Sequence, residues 1–427
     1  MSIEQLYTIY LQHPSIQTDT RKLKAGDIFF ALKGDNFNGN LFVKQAIDAG
    51  AAFAVTDDAS CSIEGKTMFV DDVLTCLQQL ARHHREQFNV PVLAITGSNG
   101  KTTTKELVHA VLSSAFITST TEGNLNNHIG VPLTLLKVKA GTEMIIVEMG
   151  ANHQKEIESY CQYARPTHGL ITNCGKAHLE GFGGVEGVRK GKGELYDFLR
   201  ANNGSAFVNT DYDYLQEMSR GIHEIFTYGT ADGAQVQGLV LNSDPFLEAR
   251  ILNDAVLENI STRLVGEYNL PNVLAAVAAG KYFGVADEKI KAAIENYIPS
   301  NSRSQLLQKG SNHIILDAYN ANPSSMKLAI ENFAHLQAEN KVLLLGAMAE
   351  LGEESLAEHQ AIVELINQYN WKNVVLVGGD FLNISHPYLS FKNSAEAKEW
   401  FRQQQFTHTH LLVKGSRSMQ MEKLLDA

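Results

Sequence analysis

The chain has 427 residues, of which 44% are hydrophobic and 19% are charged. At about 100–200 residues per domain, this length predicts two to four domains, and the apolar content excludes a wholly disordered chain. Its 36 basic and 47 acidic residues give a net charge of −11, which disfavours nonspecific binding to nucleic acid or to an anionic membrane.

Residues 1–88 are predicted to form an N-terminal domain. Apolar residues at helical spacing predict a short amphipathic helix at its start, and the apolar runs 27–32 and 51–56 predict short strands. A second helix is predicted from Val73 to Phe88. It ends before Asn89-Val90-Pro91, where we place the first domain boundary.

Residues 89–299 are predicted to form a central domain in which apolar strands alternate with helical segments. The apolar runs are 91–96, 144–149, 168–172 and 206–209. Continuous apolar strands separated by helices indicate a parallel sheet that is covered on both faces. The more polar stretch from Thr227 to Ser261 indicates loops or weaker antiparallel strands, and a helix is predicted near Asn272 to Tyr282.

Residues 300–427 repeat this alternation and are predicted to form a C-terminal domain. Its apolar runs are 313–318, 341–347, 373–379 and 410–415. The pattern predicts a second doubly wound unit, so the chain as a whole is predicted to be an α/β protein. The GxGxxG pattern does not occur here, and a dinucleotide site therefore has no motif to support it.

Cysteine spacing and hydropathy indicate the compartment. Cys61, Cys76, Cys161 and Cys174 show no CxxC spacing, which favours reduced thiols over disulfides or a zinc site. No apolar run approaches the ~18 residues of a membrane span, and the opening residues lack a basic segment followed by an apolar core. We therefore expect a cytoplasmic protein without a membrane span and without a nucleic-acid partner.

The segment TGSNGKTTTKE (Thr96–Glu106) lies between an apolar strand and a helical segment, which is typical of a phosphate-binding loop. Backbone N–H groups of such a loop cradle phosphates, while Lys101 neutralises them and Thr102 coordinates Mg²⁺. The motif is the shorter GxxGKTT, because Ile95 stands where the longer pattern has Gly. A glycine-rich turn without a ligand is the alternative. We predict a nucleoside triphosphate site at Gly97, Ser98, Asn99, Gly100, Lys101, Thr102 and Thr103.

Two further segments supply candidate metal ligands. Glu148 ends the strand that follows the phosphate loop, where a carboxylate reaches a metal held by that loop; a cap or a salt bridge is the alternative. The segment 171–195 contains seven glycines, which predicts a loop held close to a ligand, and it includes His178 and Lys192. Taken alone, an ordinary loop histidine and a solvated lysine are the simpler interpretations of these two residues.

Candidate ligand contacts also occur at a strand end and at helix starts. Asp317 ends the strand HIILDA and so faces the crevice where ligands bind in such sheets. Asn322-Pro323 is explained adequately as an N-cap followed by proline in the first turn. Asn269 and Asn272 lie three residues apart at a helix start, where capping and ligand contact agree equally well with the spacing.

Taken together, these segments resemble the Mur ligase family, the ATP-dependent amide-forming enzymes of peptidoglycan precursor synthesis. The resemblance covers nearly the whole chain and is strongest to members that add D-Ala-D-Ala to a UDP-N-acetylmuramoyl tripeptide. The strings that carry it are TDTRKLKAGDIFFALKGDNFNG (18–39), GNLNNHIGVPLTLL (123–136), AHLEGFGGVEGVRKGKGE (177–194), DAYNANPSSM (317–326), LGAMAELGEES (345–355) and LVKGSR (412–417).

The resemblance implies three domains: an N-terminal one for the UDP-muramoyl peptide, a central P-loop ATPase, and a C-terminal Rossmann-like one that closes over ATP. It also implies ATP and two Mg²⁺ ions as cofactors and carbamylation of Lys192. The implied substrates are UDP-N-acetylmuramoyl-tripeptide and D-Ala-D-Ala, and a monomer is the default expectation.

The resemblance assigns roles residue by residue. Lys101 binds the β- and γ-phosphates, Thr102 and Glu148 hold one Mg²⁺, His178 matches the ligand of a second Mg²⁺, and carbamylated Lys192 supports the metal site. Lys101, His178 and Lys192 are thus the predicted catalytic residues. The positions that match ATP contacts are Asn269, Asn272, Arg303 and Asp317. The positions expected near the UDP-muramoyl substrate are Asp19, Thr20, Arg21, Asn124, Asn126 and Asn127.

The chain departs from the family pattern at several positions, and other functions stay open. Ser302 precedes Arg303 where Gly is usual, Ala347 stands where Asp is common, and Thr20 replaces a frequent Ser. The alternatives are another amide ligase of the family, either third-residue-adding or folylpolyglutamate-type, and a P-loop nucleotide switch that forms no amide. The sequence does not distinguish diaminopimelate from lysine at the third position of the peptide.

Overall fold

The computed structural model describes residues 2–300 and 302–426. Within these residues the strands form three main sheets and one short hairpin, and each main sheet falls inside one of the three predicted segments. The boundaries at 88/89 and 299/300 remain predictions.

The first sheet is parallel and has the strand order β1-β2-β5-β6, with the antiparallel hairpin β3-β4 beside it. Its elements are α1 (Ile3–Gln12), β1 (Ile16–Gln17), β2 (Ile28–Phe30), β3 (Lys33–Gly34), β4 (Phe37–Asn38), α2 (Val43–Asp48), β5 (Phe53–Thr56), β6 (Thr67–Phe69) and α3 (Val73–Arg85). Asp72 caps α3 by accepting a hydrogen bond from the Thr75 backbone N–H. The predicted helix thus begins at Val73 but ends at Arg85, three residues before Phe88.

The second sheet has the order β15-β14-β13-β12-β11-β10-β7-β9-β8 and is parallel from β8 to β13. Its elements are β7 (Val92–Thr96), α4 (Lys101–Ser113), β8 (Thr118–Thr120), α5 (Gly130–Leu135), β9 (Met144–Glu148), α6 (Glu156–Ala164), β10 (His168–Ile171), α7 (Leu179–Phe182), α8 (Val185–Ala201), β11 (Ser205–Asn209), α9 (Asp213–Met218), β12 (Glu224–Gly229), β13 (Val236–Asn242), β14 (Glu248–Ile251), β15 (Ile260–Ser261), α10 (Leu270–Tyr282) and α11 (Asp287–Asn296).

The third sheet has the order β16-β17-β21-β18-β19-β20, and only the pair β16-β17 is antiparallel within it. Its elements are β16 (Gln305–Lys309), β17 (Asn312–Asp317), α12 (Pro323–His335), β18 (Lys341–Gly346), α13 (Ser355–Ile366), β19 (Asn373–Val377), β20 (Leu389–Phe391), α14 (Ser394–Gln403) and β21 (His410–Lys414). Asn322 forms a capping box with Ser325 at the start of α12, and Pro323 lies in the first turn, which confirms the predicted helix start.

The packing of the second sheet explains where its functional segments lie. All five residues of β7 and of β9 are buried, as expected for central parallel strands that are covered on both faces. Helix α10 is apolar on nearly every side and packs against α4. This contact brings the start of α10 next to the start of α4, where the phosphate-loop motif ends.

The polar stretch from 227 to 261 forms strands. β13 pairs antiparallel with β14, and β14 with β15, which confirms the antiparallel alternative for this segment. Its alternating burial differs from the uniform burial of the central strands, because it extends the sheet at an edge.

Gly187 tests how tightly α8, the helix that carries Lys192, is packed. A Cβ on Gly187 would lie 1.8 Å from the carbonyl oxygen of Phe182, so the backbone has to move to accept it. We expect Gly187→Ala to lower the free energy of unfolding by about 1–3 kcal/mol. The measurement is the urea midpoint of unfolding followed by circular dichroism.

Gly193→Ala in the same helix is the matched control. Its added Cβ meets only the mobile end of Met218, with Cε at 3.2 Å. Because alanine is favoured over glycine in a helix by about 1 kcal/mol, this variant should unfold at the wild-type midpoint or above it. Equal midpoints for the two variants would contradict the packing described here.

Candidate active site

The phosphate loop joins β7 to α4 and depends on two glycines. Gly97 and Gly100 adopt φ angles of 140° and 81°, which side chains disfavour. A Cβ on Gly97 would lie 2.0 Å from Thr172 Oγ1, and one on Gly100 would lie 2.6 Å from Asn272 Oδ1. The backbone of the loop is therefore in close contact with Thr172 and Asn272. The N-terminus of α4 follows the loop, and a helix N-terminus favours binding of anions.

Lys101 is the first residue of α4. Its Nζ donates hydrogen bonds to the carbonyl oxygens of Gly97, at 2.7 Å, and Ser98, at 3.0 Å. Burial lowers the pKa of Lys101 to about 8; Glu148 opposes this shift and Arg303 adds to it. A cation held over the loop in this way is suited to binding phosphate oxygens.

Glu148 is buried beside the loop and is 1% exposed. Its Oε1 accepts hydrogen bonds from Thr102 Oγ1, at 3.1 Å, and from Asn126 Nδ2, at 2.7 Å. Among the described residues, its Oε2 has no hydrogen-bond partner although it is buried. A buried carboxylate oxygen without a donor next to a threonine hydroxyl fits a divalent cation, because Mg²⁺ prefers such oxygens. Among the described residues Glu148 forms no salt bridge, and its role as a metal ligand stays a prediction.

Lys192 lies on α8 and is 1% exposed. Its Nζ donates to the Ala151 carbonyl at 2.9 Å and lies 4.8 Å from the centre of the Phe182 ring. Burial, together with the nearby charge of Lys101, lowers the pKa of Lys192 to about 7. The interpretation as a solvated lysine is therefore wrong, and the amine is held in a form that loses its proton readily.

His178 follows the glycine-containing loop after β10 and has a left-handed backbone, with φ of 52°. Its Nδ1 contacts Oε2 of Glu350, which belongs to the C-terminal segment. This contact holds the pKa of Glu350 below its usual range. In the described part of the chain, no group of three or more His, Cys, Asp or Glu residues is placed to hold a metal ion.

Asn269 and Asn272 form a network under the loop. Asn272 accepts a hydrogen bond from Thr104 Oγ1 at 2.9 Å and donates to Asn269 Oδ1 at 2.8 Å. Asn269 in turn donates to the Val265 carbonyl at 2.9 Å. Asn269 stands at the N-cap position of α10, but its side chain makes no capping hydrogen bond, so the capping interpretation is wrong.

Arg303 and Asp317 approach the same loop from the C-terminal segment. The Arg303 guanidinium lies 3.7 Å from the centre of the Tyr319 ring. Asp317 ends β17 and accepts hydrogen bonds from the Ser304 N–H, at 3.1 Å, and from Lys414 Nζ, at 2.5 Å. Asp317 and Lys414 are register partners at the ends of neighbouring strands. Sequence reasoning missed Lys414, because only the strand order reveals this pairing.

Direct contacts hold the two segments together around the loop. Asn322 Nδ2 donates to Asn99 Oδ1 at 2.8 Å, so this residue bridges the segments as well as capping α12. The Lys176 N–H donates to Ser324 Oγ at 3.0 Å, and the Tyr268 hydroxyl bonds Ser304 Oγ at 3.0 Å. The described structure is therefore a closed arrangement of these segments.

A cavity of about 570 Å³ lies between the central and C-terminal segments. It is lined by most of the predicted site residues, namely Ser98, Asn99, Gly100, Lys101, Thr102, Thr103, Asn124, Asn126, Asn127, Glu148, His178, Asn269, Asn272, Arg303 and Asp317. Lys192 lies behind the wall, since Ala151, which accepts its hydrogen bond, lines the cavity. Gly97, at the start of the loop, is buried.

Asp19, Thr20 and Arg21 are not brought to this cavity. They form a short turn of the N-terminal segment, where Arg21 binds the Asp19 carboxylate with two hydrogen bonds of 2.8 Å. Their role in binding the UDP-muramoyl substrate remains a prediction, as do the roles of the other site residues.

Comparisons with known proteins agree along nearly the whole chain. Family models match residues 14–85 (Mur ligase family, catalytic domain), 95–280 (Mur ligase middle domain) and 302–416 (Mur ligase, glutamate ligase domain). The UDP-N-acetylmuramoyl-tripeptide–D-alanyl-D-alanine ligase of Escherichia coli is 35% identical, over 97% of this chain and 93% of that protein.

Solved structures of similar proteins also include Mur ligases. A crystal structure of MurF from Acinetobacter baumannii matches with a TM-score of 0.86 and 32% identity, covering 96% of this chain and 92% of that one. MurF ligase from Thermotoga maritima in complex with ADP has a TM-score of 0.86 and 24% identity, with 97% of both chains covered, so it supports the fold.

The site combines a phosphate loop on a parallel sheet, a buried carboxylate beside it and ionic side chains from a second α/β unit. These features define an ATP-dependent ligase that works between two domains. This chain belongs to the Mur ligase family. The predicted fold class, α/β with a central P-loop domain and a C-terminal Rossmann-like domain, is confirmed. Within residues 2–300 and 302–426, no helix is both long and apolar enough to cross a membrane.

Glu148→Gln should uncouple nucleotide binding from Mg²⁺. The substitution keeps the shape of the side chain but removes the charge that a cation needs at Oε2. We expect the gain in ADP affinity caused by Mg²⁺ to shrink at least about tenfold, while affinity in the presence of a chelator stays near the wild-type value. Calorimetric titration with and without Mg²⁺ measures both quantities.

Glu122→Gln is the control, because Glu122 is exposed and pairs with Lys137. It should keep the full effect of Mg²⁺. A Glu148→Gln protein that also kept it would contradict the assignment of Glu148 to a metal.

Proposed function

We propose that this chain uses ATP to join D-Ala-D-Ala to UDP-N-acetylmuramoyl-tripeptide, giving the UDP-linked pentapeptide for peptidoglycan synthesis. The observation that carries this proposal is the shared cavity, where the phosphate loop faces Arg303 and Asp317 of another domain. The similarity to D-alanyl-D-alanine-adding ligases over 97% of the chain supports the choice of substrates. We also propose that the reaction takes place in the cytoplasm and that the active enzyme is a monomer.

The chemistry follows from the weakness of a carboxylate as an electrophile. Oxide is too poor a leaving group for an amine to displace, so the terminal carboxylate of the tripeptide first takes the γ-phosphoryl group of ATP and ADP is released. The amine of D-Ala-D-Ala then attacks the acyl carbon of this acyl phosphate. The tetrahedral intermediate collapses, phosphate leaves, and the nitrogen loses a proton to give the amide.

Phosphoryl transfer of this kind depends on positioning and on neutralising charge. Lys101 and the N–H groups of residues 97–103 hold the β- and γ-phosphates. Arg303 brings a second cation from the C-terminal domain, and Asp317, held by Lys414, contacts the nucleotide from the same side. Asn269 and Asn272 contact ATP from beneath the loop.

Two Mg²⁺ sites are part of this proposal. Thr102 and Glu148 hold the first ion, and the partnerless Oε2 of Glu148 supports that assignment. His178 and a carbamylated Lys192 serve the second. When bound, the ions supply positive charge that reduces repulsion between the phosphates and the incoming carboxylate.

Carbamylation of Lys192 forms a bond between neutral Nζ and the carbon of CO₂ and releases one proton. The product is an anion at the place of a cation, which suits a site that binds Mg²⁺. Burial of this amine and its lowered pKa support the proposal, because only the neutral amine reacts. An unmodified lysine would add positive charge beside the metal.

The UDP-muramoyl peptide extends from the N-terminal domain into the cavity. Asp19, Thr20 and Arg21 bind it on that domain, and Asn124, Asn126 and Asn127 bind it nearer the phosphate loop. Asn127 also shapes this segment, because its Oδ1 accepts hydrogen bonds from the N–H groups of Ile129 and Gly130.

Phosphate release in the presence of ATP and Mg²⁺ should require both UDP-muramoyl tripeptide and D-Ala-D-Ala. Tripeptides ending in diaminopimelate and in lysine are compared, and product masses are recorded. A pentapeptide product from either one identifies the accepted third residue. Hydrolysis that ignores the dipeptide would indicate a nucleotide switch, and addition of a single amino acid to a shorter precursor would indicate another amide ligase of the family.

Lys192→Ala should lower the turnover number at least about 100-fold, because the carbamate that is proposed to support the second Mg²⁺ site cannot form. A short-chain carboxylate added to the assay should restore part of the activity by occupying the vacated space. Lys190→Ala, an exposed position on the same helix, should be unaffected. Wild-type activity of Lys192→Ala without added carboxylate would rule out the carbamate.

A further inference from the structure

Lys105 is a buried cation to which the proposed mechanism gives no role. It lies on α4, one turn after Lys101, and is 1% exposed. Its Nζ donates hydrogen bonds to the carbonyl oxygen of Thr121, at 2.8 Å, and to Oε1 of Glu106, at 2.5 Å. Burying an ammonium group is costly even when it is paired, and an apolar side chain of similar size is often as stabilising. Stability alone is therefore a poor explanation of a lysine at this position.

Thr121 connects Lys105 to the end of a neighbouring strand. It follows β8 and is 1% exposed, and its N–H donates to the Ile146 carbonyl at 3.2 Å, so it extends the pairing of β8 with β9. Its Oγ1 accepts a hydrogen bond from the Glu148 N–H at 3.0 Å. The same threonine thus bonds Lys105 through its carbonyl and Glu148 through its hydroxyl.

These contacts close a ring at the start of α4. The Thr102 hydroxyl donates to Glu148 Oε1 at 3.1 Å, and Thr102 lies three residues before Lys105, on the same side of the helix. The members of the ring are Thr102, Lys105, Thr121 and Glu148, and none of them is more than 7% exposed. Three hydrogen bonds and one turn of helix therefore join α4 to the ends of β8 and β9. A shift of α4 relative to these strand ends has to break one of the bonds.

The ring lies between the two groups that have to meet in the proposed reaction. On one side α4 begins at the phosphate loop. On the other side Thr121 leads into residues 122–127, the segment that contains the asparagines proposed to bind the UDP-muramoyl substrate. Asn126 of this segment donates from Nδ2 to Glu148 Oε1 at 2.7 Å, so the segment is also bonded to the ring. Residues from both sides line the cavity.

We propose that Lys105 is a positioning residue for phosphoryl transfer: its hydrogen bond to Thr121 fixes the distance between the phosphate loop and the substrate segment 122–127. The inference rests on the proposed function, because it needs a phosphoryl acceptor that this segment holds. It gives the buried lysine a task that an apolar side chain could not perform.

The phosphate loop is supported by residues outside the ring. Its glycines are in close contact with Thr172 and Asn272, which belong to other elements. Loss of the Lys105 hydrogen bond should therefore leave nucleotide affinity nearly unchanged. It should lower the rate at which bound ATP reacts, because a displacement of about 1 Å between reacting groups can cost about 100-fold.

Lys105→Met is the first test, because it keeps the bulk of the side chain and removes its donors. Calorimetric titration with ADP counts the binding sites and measures affinity. Turnover at saturating substrates is divided by this count, so that unfolded protein does not mimic a loss of rate. We expect the turnover number to fall at least about tenfold while ADP affinity stays within about threefold of the wild type. Wild-type turnover per site overturns the proposal, and so does a turnover loss matched by an equal loss of ADP affinity.

Lys289→Met is the matched control. Lys289 is exposed, and its Nζ donates to the carbonyl of Ser114, at the other end of α4, at 3.0 Å. The variant loses the same kind of bond to α4, but away from the ring, and should keep wild-type turnover and ADP affinity. An equal loss of turnover in this variant would overturn the specific role of Lys105.

Substitutions at Thr121 show whether the ring acts as a unit. Thr121→Val removes the hydroxyl and should lower turnover as Lys105→Met does, whereas Thr121→Ser keeps the hydroxyl and should retain most of the turnover. The double variant Lys105→Met/Thr121→Val should lose about as much as the more damaging single variant, because both changes break one ring. Losses that multiply would overturn the proposal. If Lys105→Met shows no ADP-binding sites, equal turnover of the two Thr121 variants overturns it.

Product analysis separates this inference from the proposed function. A wild type that forms the UDP-linked pentapeptide, with Lys105→Met equally active, leaves the proposed function standing and removes the role of Lys105. A wild type that forms no pentapeptide overturns the proposed function, and the role of Lys105 fails with it.

Discussion

Repulsion between anions is the constraint on which this structure depends. A triphosphate and a carboxylate have to meet within bonding distance in a chain whose own net charge is −11. The cavity meets this constraint locally, with Lys101 from one domain and Arg303 from another. The buried Glu148 adds a carboxylate beside the phosphate loop, and we propose that a divalent cation bound there balances its charge.

The fold explains how these charges reach one place. Ligands bind at the carboxyl ends of parallel strands, and in this chain two such edges face each other: β9 ends at Glu148, and β17 and β21 end at Asp317 and Lys414. The cavity therefore has a wall on each domain. Contacts such as Asn322 to Asn99 hold these walls together, so the same residues that shape helix ends also set the distance between the domains.

Those parts of the site that depend on a few consecutive residues could be predicted from the sequence. Glycine spacing located the phosphate loop, and strand ends located Glu148 and Asp317, because each feature is determined by a few consecutive residues. Lys414 could not be found in this way, since its pairing with Asp317 depends on the order of strands in a sheet. Sequence reasoning missed Glu350 for a similar reason, because the residue that it contacts, His178, lies on another domain. Capping was a reasonable interpretation of Asn269, but the structure places its side chain in a network under the loop.

The central claim is that the central and C-terminal domains together form one ATP site. A crystal structure of the full chain with a non-hydrolysable ATP analogue and Mg²⁺ tests this claim most directly. The account predicts phosphates bound to Lys101, a metal on Thr102 and Glu148, and the same nucleotide in contact with Arg303 and Asp317. An ordered nucleotide that contacts only residues 92–296, with the C-terminal domain turned away from it, would contradict the claim that two domains form one ATP site.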